Sequence, residues 1–302
     1  MTQPSNVHSE LTERIGDLER KGGGTLDLAD GAYGIDRTLR IPRTVSLCMS
    51  PHAIIRALPG FEGEAVVLKT ATDKDREIHE RSGIIRGGVI DGGKLPVTGL
   101  KIEGGSRLEV SELEVHNAVQ KGIHANGWYE INMHNIRCNV DLDVKCPTGS
   151  IGLYYENADS VAHTVMIIGY EVGVRSDGGS NDFNSVHVWN YDPTHGPMNY
   201  CFYCNGTGDT YSQCYADSPK LAGFYVCKPF QRIFASRTFY SRFQADRAGV
   251  GVFITPEGFR GTYMGNFYFA TAERTLAKAY DGHLADATIL GVVYPQGVVH
   301  VG

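Results

Sequence analysis

Long apolar runs are missing from this chain of 302 residues: nothing approaches the ~18 consecutive apolar residues that a membrane-spanning helix needs, so a membrane is not an expected partner. A basic excess is missing too. Twenty-eight Lys and Arg stand against 34 Asp and Glu, a formal charge of −6, without the cationic face that binding to nucleic acid relies on. Paired cysteine motifs are scarce. Of Cys48, Cys138, Cys146, Cys201, Cys204, Cys214 and Cys227, only Cys201 and Cys204 form a Cys-x-x-Cys, and no second pair completes a tetrahedral zinc set. Buried reduced thiols are the expectation, ahead of a zinc site shared with His195 or Cys214. A 3.6-residue period, spaced leucines and Pro/Ser-rich linkers are also absent from most of the chain, which excludes helical and leucine-rich repeats.

What is abundant is glycine, at 37 residues, and the glycines open a recurring motif. Glycine or cysteine, apolar, variable, apolar, variable recurs as GLKIEG (99), GIHANG (122), GLYYEN (152), GVRSDG (173), CFYCNG (201), GFYVCK (223) and GVFITP (251). The starts are 23, 30, 21, 28, 22 and 28 residues apart. Alternation of period two inside a repeat of this length predicts one strand per coil of a solenoid, with the remainder of each coil turning back to start the next. RLEVSELEVHN (107–117), SVHVWNY (185–191) and GNFYFATA (265–272) read as further strands of the coils. Upstream, TLDLADGAYGIDRTLRIPRTVSL (25–47), AIIRA (53–57), AVVLKT (65–70) and GIIRGGVIDG (83–92) add about three coils, for roughly nine to ten in all.

Residues 8–20 place Leu11, Ile15 and Leu18 on one helical stripe before Gly22. The expected organisation is a capping helix within 1–22, blunting the open end of the solenoid, and one parallel β-helix domain over 23–302. The charged stretch TDKDREIHERS (72–82) reads as a solvated excursion.

The run GGTLDLADGAYGIDRTLRIPRTVSL, the later Gly-x-Ile-Asp-Gly and the glycine-started coils resemble the right-handed parallel β-helix proteins of the pectate-lyase-like superfamily. That superfamily includes polysaccharide lyases, glycoside hydrolases, fructotransferases, epimerases and phage tailspikes. The resemblance covers residues 23 to about 270 and implies an all-β fold and a carbohydrate-active protein, and its tailspike and fructotransferase branches imply a homotrimer. The paired-aspartate, Gly-His-Gly and Arg-x-Lys signatures of polygalacturonases and the Trp-x-Asp-His run of pectate lyases are absent. The N-terminus is polar where a signal peptide is apolar, giving the expectation of a cytoplasmic or phage-particle protein, or an extracellular one whose signal has been removed.

In each motif the second and fourth residues face the core, so the third and fifth face outward: Lys101/Glu103, His124/Asn126, Tyr154/Glu156, Arg175/Asp177, Tyr203/Asn205, Tyr225/Cys227 and Phe253/Thr255. Equivalent positions in successive coils stack ~4.8 Å apart, which turns these residues into one strip. Its mixture of carboxylates, bases and aromatics suits a saccharide. Glu156 and Asp177, one coil apart, are expected ~5 Å from each other, near the retaining separation, and Glu103 and Glu156 ~9–10 Å apart, at the edge of the inverting range.

Like charges that close should push one carboxyl up, so Glu156 is read as acid and Asp177, beside Arg175, as nucleophile or charge stabiliser, with Glu103 a third catalytic candidate. Lys101, His124, Tyr154, Arg175, Tyr203, Tyr225 and Trp189 are read as substrate-binding. The plainer alternative is a solvated polar strand face with ordinary ion pairs. His187, Asp192 and His195 are candidates for a side wall with Trp189; Asp141 and Asp143 are weaker candidates, and Asn117, Asn157 and Asn205 read as turn residues in stacked hydrogen bonds.

Three functions follow. Cleavage or transfer of glycosidic bonds leads, with no cofactor; a lyase acting on a uronic-acid polymer uses the same strip with His124 or Tyr154 as base and Arg175, Lys101 or Ca²⁺ neutralising the carboxylate; a non-catalytic tailspike-like or adhesin-like shaft is the third.

Overall fold

The computed structural model describes residues 4–70, 82–190, 197–240, 250–258 and 260–265, and beyond them the backbone of three short strands. The chain forms a parallel β-solenoid of about eight turns preceded by one helix. The count falls slightly below the nine to ten read from the sequence. One reason lies at the start, where AIIRA and AVVLKT belong to a single strand, Ala53–Thr70, paired with the long strand Gly31–Pro42.

The repeat strand of each coil is Thr98–Glu103, Lys121–Asn126, Ile151–Tyr155, Val172–Ser176, Tyr200–Cys204, Ala222–Val226 and Val250–Ile254. Each pairs in parallel with the next, in one unbroken register that aligns Leu100, Ile123, Leu153, Val174, Phe202, Phe224 and Val252. All seven are fully buried. Stacking at the rung spacing lets identical rings lie face to face, as Phe202 and Phe224 do with centroids 4.5 Å apart.

A corner elsewhere in the coil gives no glycine signal. Glu112, Asn135, Thr164, Ser185, Gln213 and Ala235 occupy equivalent places in six successive coils, and all have φ between 53° and 54° except Ala235 at 49°. Each bends its strand with a left-handed residue that costs a non-glycine side chain roughly 1–2 kcal/mol, offset by the parallel ladders on either side.

The helix His8–Arg20 packs Leu11 and Ile15 into the core over the first strands, with Leu18 partly buried against the same cluster. Lys69 is buried just before the undescribed segment 71–81, where most of the charged excursion lies, and its ammonium donates to the carbonyls of Pro42, Arg43 and Val45 at 2.6, 3.0 and 2.7 Å. Cys138, Cys146, Cys201, Cys204 and Cys214 are buried free thiols, and no metal-ligand cluster occurs among the described residues.

Candidate functional site

The register fixes the strip. Lys101, His124, Tyr154, Arg175, Tyr203, Tyr225 and Phe253 are consecutive rungs of one ladder. Glu103 pairs with Asn126 at the ends of their strands, and the amides of Glu156, Asp177, Asn205, Cys227 and Thr255 each bond back to the preceding coil at the same place. A second column thus runs beside the first.

In the middle of the strip six side chains join in one network of hydrogen bonds. His124 Nε2 lies 2.6 Å from Glu156 Oε2. The Tyr154 hydroxyl stands 2.7 Å from Glu156 Oε1 and 2.7 Å from Asp177 Oδ2, so those two oxygens are no farther apart than twice that distance. Arg175 donates through Nε to both oxygens of Asp177, at 3.0 and 2.9 Å, and Asn205 Nδ2 donates to Oδ1 at 2.8 Å. The rings follow the same order. His124 stacks on Tyr154 at 4.7 Å, and the Arg175 guanidinium stands 5.3 Å from the ring centroids of both Tyr154 and Tyr203. Tyr203, Tyr225 and Phe253 then continue as a stacked pavement at 5.2 and 5.3 Å.

The two carboxylates meet because their turns do. Gly178 has its Cα against the backbone of Asn157, where a Cβ would fall 1.8 Å from the Asn157 carbonyl oxygen, so only glycine lets the turn after Asp177 close on the turn after Glu156. Beneath them the buried amide of Asn181 donates to the Asn157 carbonyl at 2.9 Å and to Ser176 Oγ at 3.3 Å, while its Oδ1 accepts from the Ser160 amide at 3.1 Å.

The electrostatics depart from the expectation of one raised carboxyl. Burial pushes the Glu156 carboxyl up, but the hydrogen bonds from Tyr154 and His124 outweigh it and leave it below the usual glutamate value. Asp177 is likewise pushed up by burial and brought below the usual aspartate value by Arg175, Tyr154 and Asn205. The physical reason is the set of donors around the pair, Tyr154 shared between them, His124 at Glu156 and Arg175 and Asn205 at Asp177, which a reading of rung spacing alone leaves out. Burial, then the two carboxylates, holds the Tyr154 phenol far above its ordinary value. Burial is also the largest influence on His124, which is lowered with Lys121 and Lys101 adding to the effect against the Glu156 hydrogen bond.

Nine of the ten sequence-predicted residues share the strip. Glu103 sits at its N-terminal end, ion-paired with Lys101, which also pairs with Glu64. Trp189 does not join them: it is a rung of another ladder, beside Ile168 and Asp217, because the coil turns a corner between the two strands. His187 lies on that same strand, stacked on Tyr215 at 4.4 Å. Asp192 and His195 fall outside the described residues. Asp141 and Asp143 pair with Lys94 at 3.5 and 2.9 Å. Of the turn asparagines, Asn117 bonds Asp141 and Asn157 bonds Ser160, whereas Asn205 serves the site rather than a stack of its own kind.

The sequence reading missed Lys121, Glu64 and Asn181. Lys121 precedes the motif glycine and was outside the alternation, yet its ammonium stands 5.7 Å from the Tyr154 ring centroid. Grooves lined by Glu114, Arg137 and His187 (470 Å³) and by Arg107, Glu109, Glu130 and His134 (640 Å³) lie on other strands. The second is lined by groups that pair among themselves, Arg107 with Glu130 and His134 with Glu109.

No protein-family model matches the chain, and no curated protein matches it by sequence. Solved structures do share its fold. The tailspike protein of E. coli bacteriophage HK620 in complex with a pentasaccharide aligns over 98% of this chain and 61% of its own, with a TM-score of 0.73 and 13% identity. An Azotobacter vinelandii mannuronan C-5 epimerase module aligns over 97% of this chain and 96% of its own, at 0.60 and 12%. Endo-xylogalacturonan hydrolase from Aspergillus tubingensis aligns over 97% and 91%, at 0.59 and 16%. The chain is thus a parallel β-helix protein, spanning about three fifths of the length of the tailspike it matches.

Proposed function

We propose that this protein is a carbohydrate-active enzyme that cleaves a glycosidic bond between Glu156 and Asp177. The observation that carries the reading is the pair of carboxylates bridged by one tyrosine hydroxyl, which keeps them no farther apart than the ~5.5 Å of retaining enzymes, at the head of an aromatic pavement. Asp177, kept ionised by Arg175 and Asn205, suits the nucleophile that bonds to the anomeric carbon. Glu156 suits the acid that gives its proton to the departing oxygen and then regains one from the water that attacks the anomeric carbon and releases Asp177, with His124, 2.6 Å away, holding its carboxyl in place. A phenol has a single proton to donate, so Tyr154 satisfies both carboxylates fully only when one of them, Glu156 in this reading, carries a proton of its own. A saccharide over the strip excludes water and adds to the upward push on Glu156.

The likenesses to a tailspike bound to a pentasaccharide and to a glycan hydrolase support a poly- or oligosaccharide ligand, and the former supports association with a phage particle. A lyase or epimerase reading is favoured by one observation, the neutral His124 flanked by Lys101 and Lys121, which suits removal of the proton next to a uronate carboxylate.

Incubation with neutral and uronic-acid polysaccharides, reading reducing ends together with absorbance near ~235 nm, separates these. New reducing ends without absorbance, lost in Glu156→Gln and Asp177→Asn, are expected; absorbing product transfers the assignment to the lyase, and silence across the panel removes the enzymatic reading.

A further inference from the structure

Four polar residues precede the second strand of successive coils: Ser160, Asn181, Asp209 and Gln231, ahead of Val161, Asp182, Thr210 and Arg232, which pair in register. All four are buried, and Asn181 and Gln231 donate to the turn carbonyls of Asn157 and Gly206. Asn181 is the tie between the turns of Glu156 and Asp177, and its own backbone amide donates to Asp209 Oδ1 at 2.9 Å. Asp209 is a fully buried carboxyl that the reaction above does not use.

The second oxygen of Asp209 is the anomaly. Oδ2 has no hydrogen-bond partner, and the Tyr211 hydroxyl is likewise buried without one. Gly206 closes over that oxygen so tightly that a Cβ there would collide with it and fall 2.8 Å from Ser176 Oγ. An ionised carboxylate sealed from water with a single amide donor is costly to bury, and taking up a proton removes most of that cost. The titratable groups that face Asp209 are Tyr211, beside it in the chain, and Cys204, at the end of the preceding strand, both held in their neutral forms by burial. Asp182 and Arg232 on the neighbouring coils are exposed, and no cation among the described residues acts on the carboxyl. Burial accordingly raises it above the usual aspartate value, against the Asn181 amide and the Ser176 and Tyr211 hydroxyls.

We propose, resting on the glycan-cleaving reading above, that Asp209 is a positioning residue for Glu156 and Asp177, a neutral carboxylic acid that fixes Asn181 from below and, through Asn157 and Ser176, the two turns. Loss of its proton puts a charge into the sealed space beside Ser176 and loosens the tie. The site then has an alkaline limit set by a group that the substrate never touches.

The test compares the wild type with Asp209→Asn, which keeps the shape and the acceptor for Asn181 and cannot ionise. A carboxyl held above its unfolded value contributes stability that is complete below the unfolded value and is lost as pH rises through the folded one. Relative to Asp209→Asn, the unfolding constant of the wild type in urea should therefore grow by up to about tenfold per pH unit upward from pH ~4. Carbon-13 NMR of the wild type should show one aspartate carboxyl, absent from Asp209→Asn, still protonated where the others have ionised. As that carboxyl ionises, the Glu156 and Asp177 signals should show a second inflection, in the wild type alone. With substrate, kcat should fall with one proton as Glu156 ionises and with a second where Asp209 does, and Asp209→Asn should lose only the second, with KM alike in both. Equal pH responses of the two proteins, an Asp209→Asn chain that does not fold, or Glu156 and Asp177 signals that ignore the ionisation of Asp209 each overturn the assignment. The inflections without cleavage of any polysaccharide keep Asp209 in its role and remove the glycosidase reading; cleavage with a single limb, the same in both proteins, does the reverse.

Discussion

Replacing Tyr154 by phenylalanine removes one oxygen and keeps the ring that stacks on His124. The lost hydroxyl serves two carboxylates at 2.7 Å each, and a hydrogen bond to a charged group contributes roughly 1.5–3 kcal/mol. With the side chains of Glu156 and Asp177 33% and 19% exposed, water takes over part of this, so a loss near the lower end, about 1.5 kcal/mol, is expected at neutral pH. Without the bridge the two bare carboxylates repel, by up to about 3 kcal/mol at 5 Å and an effective dielectric constant of 20, and proton uptake by one of them relieves it. Both carboxyls titrate below their usual values in the folded protein. The stabilisation they provide is therefore complete above the unfolded carboxyl values and disappears as pH falls through the folded ones. Urea unfolding should show the difference between wild type and Tyr154→Phe at pH ~7 and its shrinkage toward pH ~3, while carboxyl NMR should show one of the two titrations moving up. An equal loss at both pH values would assign the effect to ring packing and refute the bridge.

Because Glu156 is held below the ordinary glutamate value, its protonated fraction is small at neutrality, so kcat/KM should rise as pH falls from about 7 toward the carboxyl range; a flat profile there removes Glu156 as the acid. Asn181→Ala cuts the tie between the turns of Glu156 and Asp177, and kcat should fall at least tenfold with KM little changed, alongside roughly 1–3 kcal/mol of stability measured by denaturant. Lys69→Met leaves three carbonyls, one buried and two partly buried, without their shared donor and should lower stability by roughly 3 kcal/mol, read as a shift of the urea midpoint with no change in slope.

The solenoid, its repeat strand and the strip were legible in the sequence because alternation of period two states which side chains point in, and parallel stacking turns equal motif positions into neighbours. Once Leu100, Ile123, Leu153, Val174 and Phe202 are inside, Lys101, His124, Tyr154, Arg175 and Tyr203 must share a face. Residues outside the motif carry no such label, so Lys121, Glu64 and Asn181 were invisible, and Trp189, read as a side-wall residue on a second strand, stands on a separate ladder. The corner that turns Trp189 away passes through Ser185, a left-handed serine with no glycine to announce it. What the tertiary structure alone decided is how the two carboxylates are held. Rung spacing puts Glu156 beside Asp177 and predicts repulsion, but only the folded side chains place the Tyr154 hydroxyl between them and convert two competing charges into one hydrogen-bonded chain.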